Sequence, residues 1–196
     1  MMDSIGVVRS LLTFEPFMLP IGGAGKHHDW AIEFHNSILN HYFLTIDPAE
    51  ADAIIAGAAG PGWEYTGKAI PAYATAASAT AGTRSACRFY GDQAKGGPNG
   101  HFYTVDPDEC AQAKKDPGWT FERNEFFVGV PQVAQCAAGM SPVYRVYNGR
   151  FAQNEPNHRY MTHCGMDDQM QASGWRGRRR CVLCGGNRIA VKRAAS

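Results

Sequence analysis

Three histidines, His41, His101 and His158, each stand at the start of a run rich in aromatic and β-branched residues: "HYFLT", "HFYT" and "HRYMT". Imidazole exchanges a proton near neutral pH and ligates metals, so recurring histidines could converge on a metal about an axis, or each line a pocket of its own. The plain alternative is a repeated structural position, with each ring bonded to a neighbouring loop. His101 or His158 with a carboxylate such as Asp106 could form the acid and base pair of a small hydrolase of ester, lactone or glycosidic bonds. A divalent metal is the cofactor such chemistry would accommodate; the non-catalytic reading needs none. Asp106 also has a structural reading, because Pro107 follows it and Glu109 stands three residues on, as at a helix N-cap. "HYFLT" holds one residue more than "HFYT", so His41 need not be in phase with the other two.

Side-chain amides and phenols lie beside these histidines. Aromatic faces suit stacking on sugar rings, and amides and imidazoles fix hydroxyls in a concave site. The expected ligand contacts are therefore His41, Asn99, His101, Tyr103, Asn157, His158 and Tyr160. The tryptophans of the three Gly-Trp pairs, Trp63, Trp119 and Trp175, are instead expected to pack helices onto sheets. Loop polar groups rather than tryptophans should then control binding.

Cys181-x-x-Cys184 has the spacing of a zinc or redox pair. Two further ligands would be needed, and His163 with Cys164 is the nearby supply, so metal binding is the weak alternative to a structural role. Other catalytic signatures are missing: there is no Gly-x-Ser-x-Gly elbow, no His-Glu-x-x-His and no phosphate-binding glycine loop.

The elements that must position these residues recur. The tryptophans of Gly62-Trp63, Gly118-Trp119 and Gly174-Trp175 are 56 residues apart both times. Upstream of each pair lies one of the histidine runs, and further upstream again "EFHN", "RFYG" or "RVYN". Features recurring in fixed order mark an internal repeat. In the second unit "CRFYG" alternates as a half-buried strand, "DQAKGGPNG" is a returning loop, and "HFYTVD" is a second strand. A short helix follows from Pro107 to near Pro117, and "TFERNEFFVG" is a third strand. Asp47, Pro48 and Glu50 repeat the helix start in the first unit, whereas the third has His163, Cys164 and Met166.

The expectation is an α+β fold of three pseudo-symmetric strand-strand-helix-strand units of about 56 residues, packed as one domain because a lone unit could not bury both its helix and its sheet. Trefoil-like or propeller-like closure is compatible with this spacing. The units run about 30–86, 87–142 and 143–175 onward, after an irregular lead at 1–29 and before an atypical basic tail at 176–196.

Net charge is +1, yet seven of the 19 basic residues and none of the 18 acidic ones follow Trp175. The body is mildly acidic and lacks the basic surface of a nucleic-acid domain, so nucleic acid is not an expected partner. No apolar run approaches the roughly 20 residues of a membrane helix. The N-terminus has a partial export pattern, in which Asp3, Glu15 and Pro16 interrupt what a signal sequence needs.

Together, "NHYFLTIDPAE", "CRFYG…GPNGHFYTVDPDECAQAKKDPGW" and "VYRVYN…PNHRYMTH…GW" resemble an uncharacterised bacterial repeat family found mostly in exported proteins. Its members carry Tyr-Arg-x-Tyr-Asn, Asn-x-His-Phe-Tyr-Thr and Gly-Trp in that order, and the resemblance covers about residues 30–175. It implies an accessory module, secreted or at the cell surface, that binds carbohydrate or a cell-surface polymer and brings no established catalytic residues. If the N-terminus is not a signal, the location is cytoplasmic. The family's continuation after the third Gly-Trp is replaced here by "RGRRRCVLCGGNRIAVKRAAS", as a divergence or a shifted reading frame. In an exported setting six cysteines suggest disulfides: Cys87 with Cys110, joining a strand to its unit's helix, and Cys136 with Cys181 or Cys184.

Overall fold

The computed structural model describes residues 29–130, 140–150, 153, 155–162, 164–177 and 183–186. Unit 1 comprises β1 (Asp29–Asn36), β2 (His41–Thr45), α1 (Pro48–Ile55) and β3 (Trp63–Ala72). Unit 2 comprises β4 (Thr83–Gly91), β5 (His101–Thr104), α2 (Pro107–Ala113) and β6 (Trp119–Gly129). Unit 3 comprises β7 (Met140–Tyr147), β8 (His158–Met161), α3 (Cys164–Ala172) and β9 (Arg176–Gly177), and β10 (Leu183–Gly186) follows. The molecule is mixed α/β and mostly strand, consistent with three similar units. In each, the first strand is the centre of a three-stranded antiparallel sheet, β2-β1-β3, β5-β4-β6 and β8-β7-β9. β10, from the atypical tail, pairs with both β6 and β7 and so joins units 2 and 3. A bridge between Tyr73 and Phe127 links units 1 and 2.

Two helices start where the Asp-Pro signal places them. The Asp47 side chain accepts from the Ala49 N–H at 2.9 Å, and that of Asp106 from Asp108 and Glu109 at 2.9 and 3.1 Å. These carboxylates satisfy donors that a first helical turn leaves without backbone partners.

Each sheet buries both faces, which explains why its strands alternate poorly. On one face Phe34 and Phe43 pack with Ala51 and Ile54 of α1, and Phe89 and Phe102 pack with Cys110 of α2. The Cys87–Cys110 disulfide ties that second helix to β4, with Cα atoms 6.2 Å apart. The opposite faces meet in one shared core containing Ala31 and Leu44 of unit 1, Ala86, Tyr103 and Phe126 of unit 2, and Val143 and Tyr160 of unit 3.

Two phenols chain the units together inside that core. The Tyr103 hydroxyl donates to the Leu44 carbonyl at 2.7 Å and accepts from the Leu44 N–H at 3.0 Å. The Tyr160 hydroxyl does the same to the backbone of Tyr103, at 2.6 and 3.0 Å. Register makes Leu44, Tyr103 and Tyr160 equivalent, since they pair with Glu33, Arg88 and Arg145 on the central strands. Burial pushes the Tyr160 phenol up to about 12, so both groups stay protonated and can donate.

Candidate functional site

The three hairpins between the first and second strands bring their ends together. Asn157, at the end of the third hairpin, donates through its side chain to the Asn40 carbonyl and accepts from the Tyr42 N–H, both in the first. Gly100 ends the second hairpin, and a Cβ there would lie 2.9 Å from the Pro156 carbonyl oxygen and 3.9 Å from His41 Cε1. The close approach of the Pro156 carbonyl therefore requires glycine at that position. Inside the ends, the buried Asn36 amide accepts from the Ile38 and Leu39 N–H groups, and Asn148 accepts from Arg150 and Asn157.

Strand register decides which aromatic residues are equivalent. The pairs are His35 with Tyr42, Tyr90 with His101 and Tyr147 with His158. Each unit thus carries one histidine and one tyrosine side by side, with centroids 4.6, 5.2 and 5.0 Å apart. In unit 1 the two residue types have changed places. His41 is consequently not the counterpart of His101 and His158; that position is Tyr42, and His41 corresponds to Gly100 and Asn157.

Each ring pair also touches a neighbouring unit. His101 lies 4.6 Å from Phe43, His158 5.2 Å from Phe102, and Tyr42 carries the Arg159 guanidinium 4.3 Å over its ring. In two units an amide adjoins the ring on the first strand. His35 Nε2 lies 3.0 Å from Asn40 Oδ1, and the Tyr90 hydroxyl donates to Asn99 Oδ1 at 3.2 Å. Pro156 replaces the amide in unit 3. His35, Tyr90 and Tyr147 are all half-buried.

Ion pairs fasten the same junctions. Between units 1 and 2, buried Arg88 reaches Glu50 of α1 at 2.7 Å, Glu122 at 2.7 Å and Glu125 at 2.9 Å. Arg123 adds contacts to Asp47, Glu50 and Glu125. Between units 2 and 3, Arg145 pairs with Glu109 of α2 at 3.2 Å. Between units 3 and 1, Glu33 takes two bonds from Arg159, at 2.8 and 2.9 Å. His101 Nε2 lies 3.5 Å from Glu122 Oε2. Burial alone would raise the Glu122 carboxyl, but bonds from His101 and Arg88 hold it below the usual range. The His41 ring is lowered by burial first and then by His101 and His35, with Glu155 opposing.

Of the expected ligand contacts, His101, His158, Asn99, Asn157 and His41 come together around the hairpin ends. Tyr103 and Tyr160 lie in the shared core, 2 and 4% exposed, with their hydroxyls engaged by backbone. Asp106 caps α2, and the carboxylate beside His101 is Glu122. Cys136, His163 and Cys181, with the side chains of Cys164 and Cys184, lie outside the described residues. Among those described, no group of three or more His, Cys, Asp or Glu could hold a metal, and no helix is long and apolar enough to cross a membrane. The residues missed by sequence reading are His35, Tyr90, Tyr147 and Glu122. The extra residue in "HYFLT" was the one signal for the exchange in unit 1.

Fold and site together define a mixed α/β domain of three similar sheet-and-helix units with a ring pair at each junction. The chain belongs to the family described as Domain of unknown function (DUF5648), whose model matches residues 33–180. No curated protein and no solved structure matches it.

Proposed function

We propose that the chain is an exported accessory repeat module that binds carbohydrate or a cell-surface polymer without catalysis, one shallow site per unit, with the three units closed about a common axis. The observation that carries this reading is the half-buried histidine and tyrosine pair repeated at the converging hairpin ends, two of the three beside a side-chain amide. An aromatic face flanked by amide and imidazole suits a sugar ring and its hydroxyls. Three weak sites on one rigid domain would hold a polymer by avidity rather than by one deep pocket. The Cys87–Cys110 disulfide supports an oxidising location, secreted or at the cell surface.

The test is retention of the purified protein on insoluble polysaccharides, beside turnover of generic esters and lactones with and without chelator. Retention without turnover is expected; no retention on any polysaccharide counts against the reading. The closeness of His101 to Glu122 favours a hydrolase as the second reading. Against it, Arg88 and Glu122 are committed to each other, and the His101 ring packs between Phe43 and Tyr90. Turnover abolished in both His101→Ala and Glu122→Gln would establish that reading.

A further inference from the structure

The three junctions are not chemically equal, and their differences concentrate between unit 3 and unit 1. Phe43 of β2 and Phe102 of β5 hold equivalent register positions in units 1 and 2, and each unit's own tryptophan packs on that ring: Trp63 on Phe43 with centroids 6.1 Å apart, and Trp119 on Phe102 at 5.7 Å. Unit 3 has Arg159 at that position. Its tryptophan, Trp175, instead meets Tyr42 of unit 1, edge to face at 6.0 Å. Tyr42 in turn contacts His35 at 4.6 Å. Three half-buried rings from two units are therefore contiguous here.

Charge and hydrogen-bonding groups narrow what such a surface would take. The Arg159 guanidinium beneath Tyr42 is neutralised by Glu33, and the two side chains are 10 and 3% exposed. The ring group thus stands on a compensated pair and offers an anion no free charge. Its polar groups are the Tyr42 phenol, the His35 imidazole and the exposed Asn40 amide, whose oxygen faces His35 Nε2. Aromatic faces stack on the axial C–H groups of a pyranose, and an amide plus a phenol can exchange hydrogen bonds with vicinal hydroxyls. By contrast, the equivalent ring of unit 2, His101, is already engaged by Glu122.

Resting on the carbohydrate reading, we propose that the junction between units 3 and 1 is the strongest of the three sites and takes a neutral hexopyranose residue on His35, Asn40, Tyr42 and Trp175. The experiment is calorimetric titration of the full chain with cellohexaose, chitohexaose, maltohexaose and mannohexaose, and with hexagalacturonate as the anionic counterpart. Each variant's fold is checked by circular dichroism and thermal midpoint. Expected is binding to at least one neutral hexasaccharide, weakened about tenfold or more by Trp175→Ala and by Tyr42→Leu, the loss of about one good stacking contact. Tyr42→Phe, which keeps the ring and removes only the hydroxyl, should cost a few-fold and serves where the larger changes perturb folding. Tyr90→Ala and Tyr147→Ala should cost less than threefold. Equal losses at all three junctions would overturn this inference and leave the repeat reading standing. Tighter binding of hexagalacturonate, or polysaccharide retention with no hexasaccharide bound, would overturn it as well. Absence of polysaccharide retention together with absence of hexasaccharide binding would overturn both this inference and the carbohydrate reading.

Discussion

Arg88 and Glu33 occupy the same place on the central strands of units 2 and 1 and carry opposite charges. Arg88 points its guanidinium at Glu50, on the helix of the preceding unit, and Arg145 repeats the arrangement with Glu109. In unit 3, Met166 of α3 stands in the place of Glu50 and Glu109. The carboxylate is missing, so the polarity is inverted: the strand supplies Glu33 and the neighbour supplies Arg159 from β8. The junctions thus demand complementary, bidentate charge and tolerate either sign. A buried charge without its partner is costly, whereas a matched pair can be reversed as a unit.

That comparison is broken most severely by Arg88→Ala, which removes the buried cation shared by Glu50, Glu122 and Glu125 and leaves Glu125, 1% exposed, with the more exposed Arg123. A loss of about 3–5 kcal/mol is expected when a buried ion pair is broken by removing one partner, measured by urea unfolding. Arg159→Glu should cost a similar amount through repulsion with Glu33, and adding Glu33→Arg should recover at least half of it. Failure of that rescue would show that the sign at this junction is fixed by something other than the pair.

The next effect separates unit 2 from its neighbours. Replacing Cys87 and Cys110 by serine opens a loop with a sequence separation of 23 and should cost about 3 kcal/mol. Hydrogen exchange should rise first in α2 and β4, with α1 and β1 protected. Smaller again are Tyr103→Phe and Tyr160→Phe, each expected to lose about 1–2 kcal/mol because a backbone N–H and carbonyl in the core lose their partner. Equivalent losses at the two sites would sharpen the case for equivalent units.

The smallest effect is with pH. His41 is held below its ordinary value of 6.5 by burial, then by its neighbouring histidines. Its unfolded form takes up a proton more readily, so stability should begin to fall as pH drops through about 6.5. Glu50, which burial would raise but bonds from Arg88 and Thr45 pull below 4.5, and Glu122 behave differently. Their contribution is present above the unfolded value and should be lost only as pH falls below about 4.5. Denaturation midpoints followed against pH should therefore show two stages, and His41→Gln should remove the first.

The repeat itself was legible because Gly-Trp spacing survives divergence, and so were the helix starts, since Asp-Pro is a local signal that needs no tertiary context. The Cys87–Cys110 link followed from placing one cysteine on a strand and the other on the helix after it. The ring pairs were not legible, because which residues face each other across a hairpin depends on turn length. A four-residue turn, Ser37–Asn40, sets unit 1 one residue out of phase with the longer loops. Nor did "HFYT" reveal that Tyr103 belongs to the core. Phe102 and Tyr103 are both buried, one under α2 and the other among the three units, so alternation carried no information. Nothing in "TFERNEFFVG" itself marks Glu122 and Glu125 as ion-pair partners, because Arg88, 34 positions from Glu122, is brought beside them only by the fold.

The most direct test of one site per unit is a ladder of variants retained on the same insoluble polysaccharide: His35→Ala, then Tyr90→Ala added, then Tyr147→Ala. The account predicts a stepwise fall, largest at the first step and completed only at the third, with thermal midpoints little changed. Retention abolished by any single replacement, or untouched by all three together, would contradict it.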